Sequence, residues 1–281
     1  MVQRIELQDA RSVLFAPGDD ERKIDKALAS DADVVVLDLE DAVRPSDKDV
    51  ARAVVQGALS HRGSRTVAVR VNPGSEADLR MVAAARADAV VVPKCVPSLI
   101  APARKLLYGL GVVALVETAD GLAALAELAR RPEVVAFALG SLDLAVDLGL
   151  ERRRDGQELL LARSQLVLAS AVARLRPPFD TVYPEYRDLE GFEREAALAR
   201  SLGLGGKLCI HPGQVGVANQ VFAPQPDEVA WAERVLTEFQ RPRQAAGGVV
   251  TVDGSMVDEP VLERARRLLR RARIFEVANT S

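Results

Sequence analysis

Short apolar runs recur along this chain, separated by longer amphipathic stretches. The densest is Val34-Val35-Val36-Leu37, mostly β-branched, and it runs directly into Asp38-Leu39-Glu40-Asp41. An unbroken run of this kind predicts a strand buried on both faces, as in a parallel sheet covered by helices. Seven others share its character: Arg11–Phe15, Thr66–Val71, Ala89–Val92, Val112–Val116, Val134–Leu139, Asp180–Tyr183 and Gly206–Ile210. Between them, helices are predicted from Asp19 to about Ala29 and over Lys48–Leu59, Ala77–Ala85, Pro97–Tyr108, Gly121–Ala129, Gln157–Leu175 and Leu189–Leu202. Asp19-Asp20-Glu21 supplies an N-cap and an acidic first turn for the first of these.

Eight alternating units over about 200 residues predict a (β/α)8 TIM barrel, a fold that usually takes about 250. A doubly wound open sheet is the alternative. It calls for a glycine-rich phosphate loop after the first strand, and Pro17-Gly18 is not that fingerprint. Near Gln214 the pattern changes. A helix over Asp227–Gln240, a connector over Arg241–Gly248, a hairpin-like stretch over Val249–Met256 and a basic amphipathic helix over Pro260–Arg273 follow. The expected organisation is a barrel over residues 1–213 and a C-terminal helical extension over 214–281, packed on its own barrel or on a neighbour's.

Composition narrows the possibilities. The 281 residues are 48% hydrophobic and 27% charged, enough for a large core and contrary to disorder. A net charge of -3 gives no electrostatic case for nucleic acid or an anionic membrane as partner. No apolar run approaches the roughly 20 residues of a membrane helix, and no basic-then-apolar leader opens the chain. Cys95 and Cys209, in or beside apolar runs, read as buried thiols of a reducing compartment. The expectation is a soluble, cytoplasmic protein.

Only two histidines are present, His61 and His211, which excludes a multi-His zinc site. No Gly-x-Ser-x-Gly elbow marks a serine hydrolase. A metal here is expected to be held by oxygen, which favours magnesium, with manganese as the alternative. In a barrel, side chains beyond the C-terminal ends of the strands share one mouth. Those positions hold Glu40 and Asp41 from the second strand, Arg70 from the third, Lys94 from the fourth, Glu117 from the fifth, Asp143 from the sixth and His211 from the eighth.

Glu117 and Asp143 come from adjacent strands, about 4.8 Å apart. Two such carboxylates can hold one octahedral cation and leave positions for water and a bidentate substrate. Gly140-Ser141-Leu142 offers backbone N–H groups to a carboxylate. Arg70 is a permanent cation, suited to fork onto a substrate carboxylate or to pair with the acids around it. Lys94, among so many acids, is expected in a salt bridge rather than as a Schiff-base amine. Asp38 is expected behind the other acids, and His211 is as readily a packing residue as a site residue.

Taken together, these residues resemble the citrate lyase β-subunit-like branch of the HpcH/HpaI aldolase superfamily. The matching stretches are Arg11-Ser12-Val13-Leu14-Phe15-Ala16-Pro17-Gly18, Asp38-Leu39-Glu40-Asp41-Ala42-Val43 with Lys48 and Ala51-Arg52, Val69-Arg70-Val71-Asn72 and Val92-Pro93-Lys94. They continue with Val116-Glu117-Thr118, Gly140-Ser141-Leu142-Asp143-Leu144, Cys209-Ile210-His211-Pro212-Gly213-Gln214 and Asp253-Gly254-Ser255-Met256-Val257-Asp258-Glu259-Pro260. They stand in the family's order and cover nearly the whole chain.

The resemblance implies a modified barrel, usually a homotrimer, that makes or breaks a carbon–carbon bond next to a carbonyl. It puts the metal pair on Glu117 and Asp143, the keto-acid arginine on Arg70, and acid/base groups on Glu40 and Asp41. It also implies a further acid, Asp258, carried on a neighbouring subunit's tail. The implied reaction is magnesium-dependent cleavage of a 3-hydroxyacyl thioester such as citryl-CoA to acetyl-CoA and a 2-oxo acid such as oxaloacetate. Condensation in reverse, thioester hydrolysis as in a malyl-CoA-type enzyme, CoA-independent aldol chemistry and a non-catalytic subunit are the alternatives. The loop Pro17-Gly18-Asp19-Asp20 is plainer than in some relatives, and Tyr183-Pro184-Glu185-Tyr186 is richer in proline; both bear on which acid or thioester fits.

Overall fold

The computed structural model describes residues 7–107, 109–239 and 250–279. It divides into two compact units, one running to Phe222 and one from Ala223 onward. In the first, eight parallel strands close into a barrel. They are β1 (Ser12–Pro17), β2 (Val34–Asp38), β3 (Val67–Arg70), β4 (Ala89–Val92), β5 (Gly111–Val116), β6 (Val134–Leu139), β7 (Phe179–Asp180) and β8 (Gly206–Cys209). Pairing runs in sequence order and β1 also pairs with β8, so no strand edge is left open. The helices are α1 (Glu21–Leu28), α2 (Lys48–His61), α3 (Glu76–Ala84), α4 (Pro97–Leu106), α5 (Ala119–Ala123), α6 (Leu125–Leu128), α7 (Ser141–Leu148), α8 (Leu160–Val172), α9 (Leu189–Ser201) and α10 (Pro212–Phe222). This is the (β/α)8 TIM barrel that the alternation predicts.

The period of two along each strand sorts side chains into two shells. Val13 and Phe15, Val34 and Val36, Ala68, Ala89 and Val91, Val113 and Leu115, Ala136 and Ala138, Phe179 and Leu208 form the interior. The void left among them is about 10 Å³, so the barrel is a packed core and not a channel. The alternate residues, among them Val35, Leu37, Val69, Val90, Ala114, Val116, Phe137 and Leu139, pack outward against the helices. Caps fix several helix starts. The Asp20 carboxylate accepts from Lys23 N at 3.1 Å, and the side chains of Ser75, Thr118 and Asp188 cap α3, α5 and α9.

Some details depart from the sequence reading. The predicted helix over Gly121–Ala129 is two short helices, α5 and α6. The seventh strand is only two residues and begins earlier, at Phe179. Two helices were not anticipated. One is α7, whose first turn is the Gly140-Ser141-Leu142-Asp143 stretch; the other is α10, whose Val215 and Ala218 are buried in the outer shell of the barrel. The connector expected over Arg241–Gly248 lies outside the described residues.

The second unit consists of α11 (Pro226–Phe239), a hairpin of β9 (Val250–Val252) and β10 (Ser255–Val257), and α12 (Glu259–Asn279). Asp253 and Gly254 both have positive φ, 50° and 78°, as a tight two-residue hairpin turn requires. Ala232, Val235, Val252, Val257, Leu262 and Ala265 make its own small core. Among the described residues, no helix is long and apolar enough to cross a membrane.

Candidate active site at the barrel mouth

Counting onward by two from the interior residues places the site. On β2, Val34 and Val36 lead to Asp38; on β3, Ala68 leads to Arg70. On β5, Val113 and Leu115 lead to Glu117, and beyond β6 Ala136 and Ala138 lead to Gly140. Asp38, Arg70, Glu117 and Gly140 therefore emerge on the inner face at the strands' C-terminal ends. There they line a cavity of about 400 Å³, with Asp41, Ser141, Leu142, Asp143, Thr181 and the apolar Phe15, Leu115 and Ile210.

Arg70 is clamped from below. Its Nε and Nη2 donate to the two oxygens of Asp38, each at 2.7 Å, in a bidentate fork. Its Nη1 lies 3.1 Å from Glu40 Oε2 and 3.4 Å from Asp41 Oδ2, and its guanidinium carbon stands 5.3 Å over the Phe15 ring. Burial works against the charge, but Asp38, Glu40 and Asp41 more than offset it and raise the Arg70 pKa. Asp38 is itself fixed by accepting from Glu40 N at 2.9 Å and Ala42 N at 3.1 Å. Gly18 makes that corner possible. Its N–H reaches Asp38 O at 2.8 Å, and a Cβ there would sit 2.6 Å from the same oxygen.

Glu117 is buried and accepts from Lys94 N at 2.7 Å. Burial raises its pKa to about 7, with the Lys94 N–H pulling down and the Glu40 and Asp143 carboxylates pushing up. Asp143 sits on the first turn of α7 with its side chain 41% exposed, 2.9 Å from the Lys94 ammonium. That ammonium also lies 3.0 Å from Glu40 Oε1. Burial and these carboxylates again oppose each other, and the Lys94 pKa is raised. Glu40 is buried, and desolvation raises its pKa against the pull of Arg70 and Lys94. Its Oε2, though close to Nη1, makes no hydrogen bond.

The structure brings most of the sequence-predicted site residues together. Asp41, Arg70, Glu117, Gly140, Ser141, Leu142 and Asp143 all line the one cavity. Glu40 is not among its walls; it stands behind Arg70 and Lys94. The N–H groups of Gly140 and Ser141 are already used, by Val116 O at 2.9 Å and Thr181 Oγ1 at 3.0 Å. At this helix start, the donors left to a ligand are those of Leu142 and Asp143. Asp258 belongs to the C-terminal unit, where its carboxylate accepts from Val261 N at 3.2 Å and so caps α12. His211 is exposed and stacks on Tyr186 at 5.0 Å. Among the wall residues that the sequence reading did not single out are Phe15 and Thr181. Phe15 faces Arg70, and Thr181 anchors Ser141 through its backbone and, at 2.7 Å, its hydroxyl. Both follow from the period of two, Phe15 after Val13 and Thr181 after Phe179.

The donor set suits a hard divalent cation. Five carboxylates, Asp38, Glu40, Asp41, Glu117 and Asp143, gather around two basic side chains, so negative charge is in excess. Among the described residues no three His, Cys, Asp or Glu side chains form a metal cluster. A cation on Glu117 and Asp143 would have only two protein ligands, the open shell that magnesium fills with water and substrate oxygens.

Comparison with known proteins places the chain in a family. The model of the HpcH/HpaI aldolase/citrate lyase family matches residues 11–98 and 103–212, and that of the HpcH/HpaI aldolase C-terminal domain matches residues 227–276. The chain belongs to the HpcH/HpaI aldolase/citrate lyase family. It is 36% identical over 269 residues to a (3S)-malyl-CoA thioesterase of Cereibacter sphaeroides, covering 93% of this chain and 94% of that one. It is 34% identical over 282 residues to the citrate lyase subunit beta of Leuconostoc mesenteroides subsp. cremoris, covering 93% of each. Its fold is similar to that of the protein CitE from Mycobacterium tuberculosis, solved in complex with magnesium, acetoacetate and coenzyme A. There the TM-score is 0.79 and the identity 34%, covering 95% of this chain and 99% of that one.

Proposed function

We propose that this chain is a magnesium-dependent carbon–carbon lyase that cleaves a 3-hydroxyacyl thioester of the citryl-CoA kind to acetyl-CoA and a 2-oxo acid such as oxaloacetate. The observation that carries the reading is the meeting of Glu117 and Asp143 with Arg70 in the walls of one cavity. Glu117 and Asp143 would hold magnesium (or manganese), which would supply Lewis-acid polarisation of the substrate.

The chain's own residues do the rest. Arg70, held rigid by the Asp38 fork, presents Nη1 to a substrate carboxylate. The Leu142 and Asp143 N–H groups at the start of α7 take further anionic oxygens. Asp41, 59% exposed at the cavity wall, is placed to accept the hydroxyl proton. As that proton leaves, the C2–C3 bond breaks, the former hydroxyl carbon becomes the 2-oxo carbonyl, and the bonding pair passes into the thioester enolate. Asp258 returns a proton to the enolate carbon, giving acetyl-CoA. Glu40 steadies Arg70 and Lys94 from behind.

The assembly proposed is a cytoplasmic homotrimer, in which a neighbour's C-terminal unit delivers Asp258. Large apolar side chains exposed on α7 and α8, with Val146 84% and Val172 78% exposed, support association through that face. Incubation of the purified protein with citryl-CoA and with malyl-CoA, with magnesium or EDTA, tests the reading. Acetyl-CoA and an oxo acid should form only with metal, and not with Glu117→Ala. Release of free CoA and an intact hydroxy acid would instead identify a thioesterase, as the likeness to the malyl-CoA thioesterase allows. Turnover unaffected by EDTA would overturn the metal assignment.

A further inference from the structure

Lys94 touches three acids of the mouth at once. Its backbone N–H donates to Glu117 Oε1 at 2.7 Å, while its ammonium stands 3.0 Å from Glu40 Oε1 and 2.9 Å from Asp143 Oδ2. It does this from a left-handed backbone, φ +46°, a region that crowds a Cβ and that residues other than glycine seldom occupy. Strain of that kind persists only where surrounding contacts over-determine it, and here all three contacts point at the acidic cluster. The ammonium thus lies against one of the two carboxylates assigned to the metal and is tied through its own backbone to the other.

We infer that Lys94 is a positioning residue that competes with the divalent cation for Asp143. Its ammonium gathers Asp143 and Glu40, and a cation arriving on Asp143 meets a like charge on the same carboxylate. Cation binding therefore displaces the ammonium from Asp143 toward Glu40, and Lys94 sets the affinity below what the two carboxylates alone would give. The half-exposed Lys94 side chain has solvent on one side into which to move. The inference rests on Glu117 and Asp143 being the metal pair.

Manganese titration of the EDTA-treated full-length chain at pH 8, with free Mn²⁺ read by electron paramagnetic resonance, tests it. Wild type, Lys94→Met, Lys94→Gln, Lys94→Arg and Glu117→Gln are compared, with melting followed by circular dichroism. The expected result is about one Mn²⁺ per wild-type chain and none with Glu117→Gln. Lys94→Met should bind at least fivefold more tightly than wild type while melting at a lower temperature without metal. Lys94→Arg should behave like wild type. A merely structural lysine would lower the melting temperature without tightening the metal. Unchanged or weaker binding in Lys94→Met, or in Lys94→Gln if the Met variant does not fold, overturns the inference while leaving the metal pair standing. If Glu117→Gln binds Mn²⁺ as wild type does, the metal pair itself falls, and the inference with it.

Discussion

The α-carbon of Gly140 lies against Glu117: a Cβ at residue 140 would sit 2.5 Å from the glutamate's own Cβ and nearer still to its Oε2. The φ at Gly140 is an ordinary -103°, so glycine is needed here for room and not for conformation. Gly140→Ala should push Glu117 off its position and weaken Mn²⁺ binding at least tenfold. Overpacking of this kind costs about 1–3 kcal/mol, so the variant should still fold. Mn²⁺ titration alongside urea denaturation separates the two effects.

Glu117 also fixes how the site responds to acid. Its pKa is raised to about 7, chiefly by burial, so the native chain holds a proton there that the unfolded chain releases nearer pH 4.5. The sign is the reverse of an ion-paired carboxylate's: without metal, this group makes the fold less stable as pH rises from about 4.5 to 7. A cation must displace the proton, so affinity should climb about tenfold per pH unit below 7 and level off above it. Calorimetric metal titrations from pH 5.5 to 8.5 check this. A flat profile would refute it.

Arg70→Lys keeps the charge and loses the fork. Asp38 would be left buried with one of its two charge-assisted bonds unmade, and the remaining ammonium could not grip a planar carboxylate from a fixed angle. Thioester cleavage should fall by on the order of 100-fold or more in kcat/KM, as misplaced binding groups commonly cost. Steady-state kinetics with the thioester decides the matter; a loss under threefold would show that Arg70 only neutralises the acids.

Away from the mouth, Asp180, Lys207 and Arg163 form a fully buried ionic group. Lys207 Nζ is 2.6 Å from Asp180 and 2.7 Å from Glu195, and Arg163 Nε is 2.8 Å from Asp180. Burial pushes the Asp180 pKa up, but Lys207 and Arg163 prevail and hold it below its ordinary value. Its contribution to stability is therefore full above the unfolded carboxylate range and fades as pH falls through the lowered native value. Lys207→Met strips one partner from a buried charge and should cost about 3–5 kcal/mol at pH 7. Urea titrations at pH 7 and pH 3 should show the variant's deficit shrinking in acid.

Leu168→Asp or Val172→Asp should turn the proposed trimer into monomers. Both residues stand on the exposed apolar face of α8, beside a groove of about 650 Å³ between that helix and α5–α6. Light scattering on the purified variants gives the mass directly. A wild type that is already monomeric would refute the proposed assembly.

The barrel could be read from the sequence because its strands are buried twice over. Runs such as Val34–Leu37 serve both the interior and the helix layer, so they are short, unbroken and mostly β-branched. Reading on past each run also found Arg70, Glu117 and Asp143. What stayed hidden depends on tertiary partners. Gly140-Ser141-Leu142 looks like a loop until Thr181 turns it into a helix start. The α10 segment is rich in valine and glycine and lies close to a change of composition, so its seat on the barrel is set by packing of Val215 and Ala218. Lys94 reads as a simple salt bridge, and only the folded structure shows that it serves two carboxylates with its side chain and a third with its main chain.

Strands β6 and β7 share a single register pair, Ala138 with Phe179. The wall is stitched most thinly there, and just above the gap the hydroxyls of Ser141 and Thr181 meet at 2.7 Å. Those two small side chains work as a latch where the ladder gives out. Exchanging either for a residue that cannot close it should let the rim widen beside Asp143.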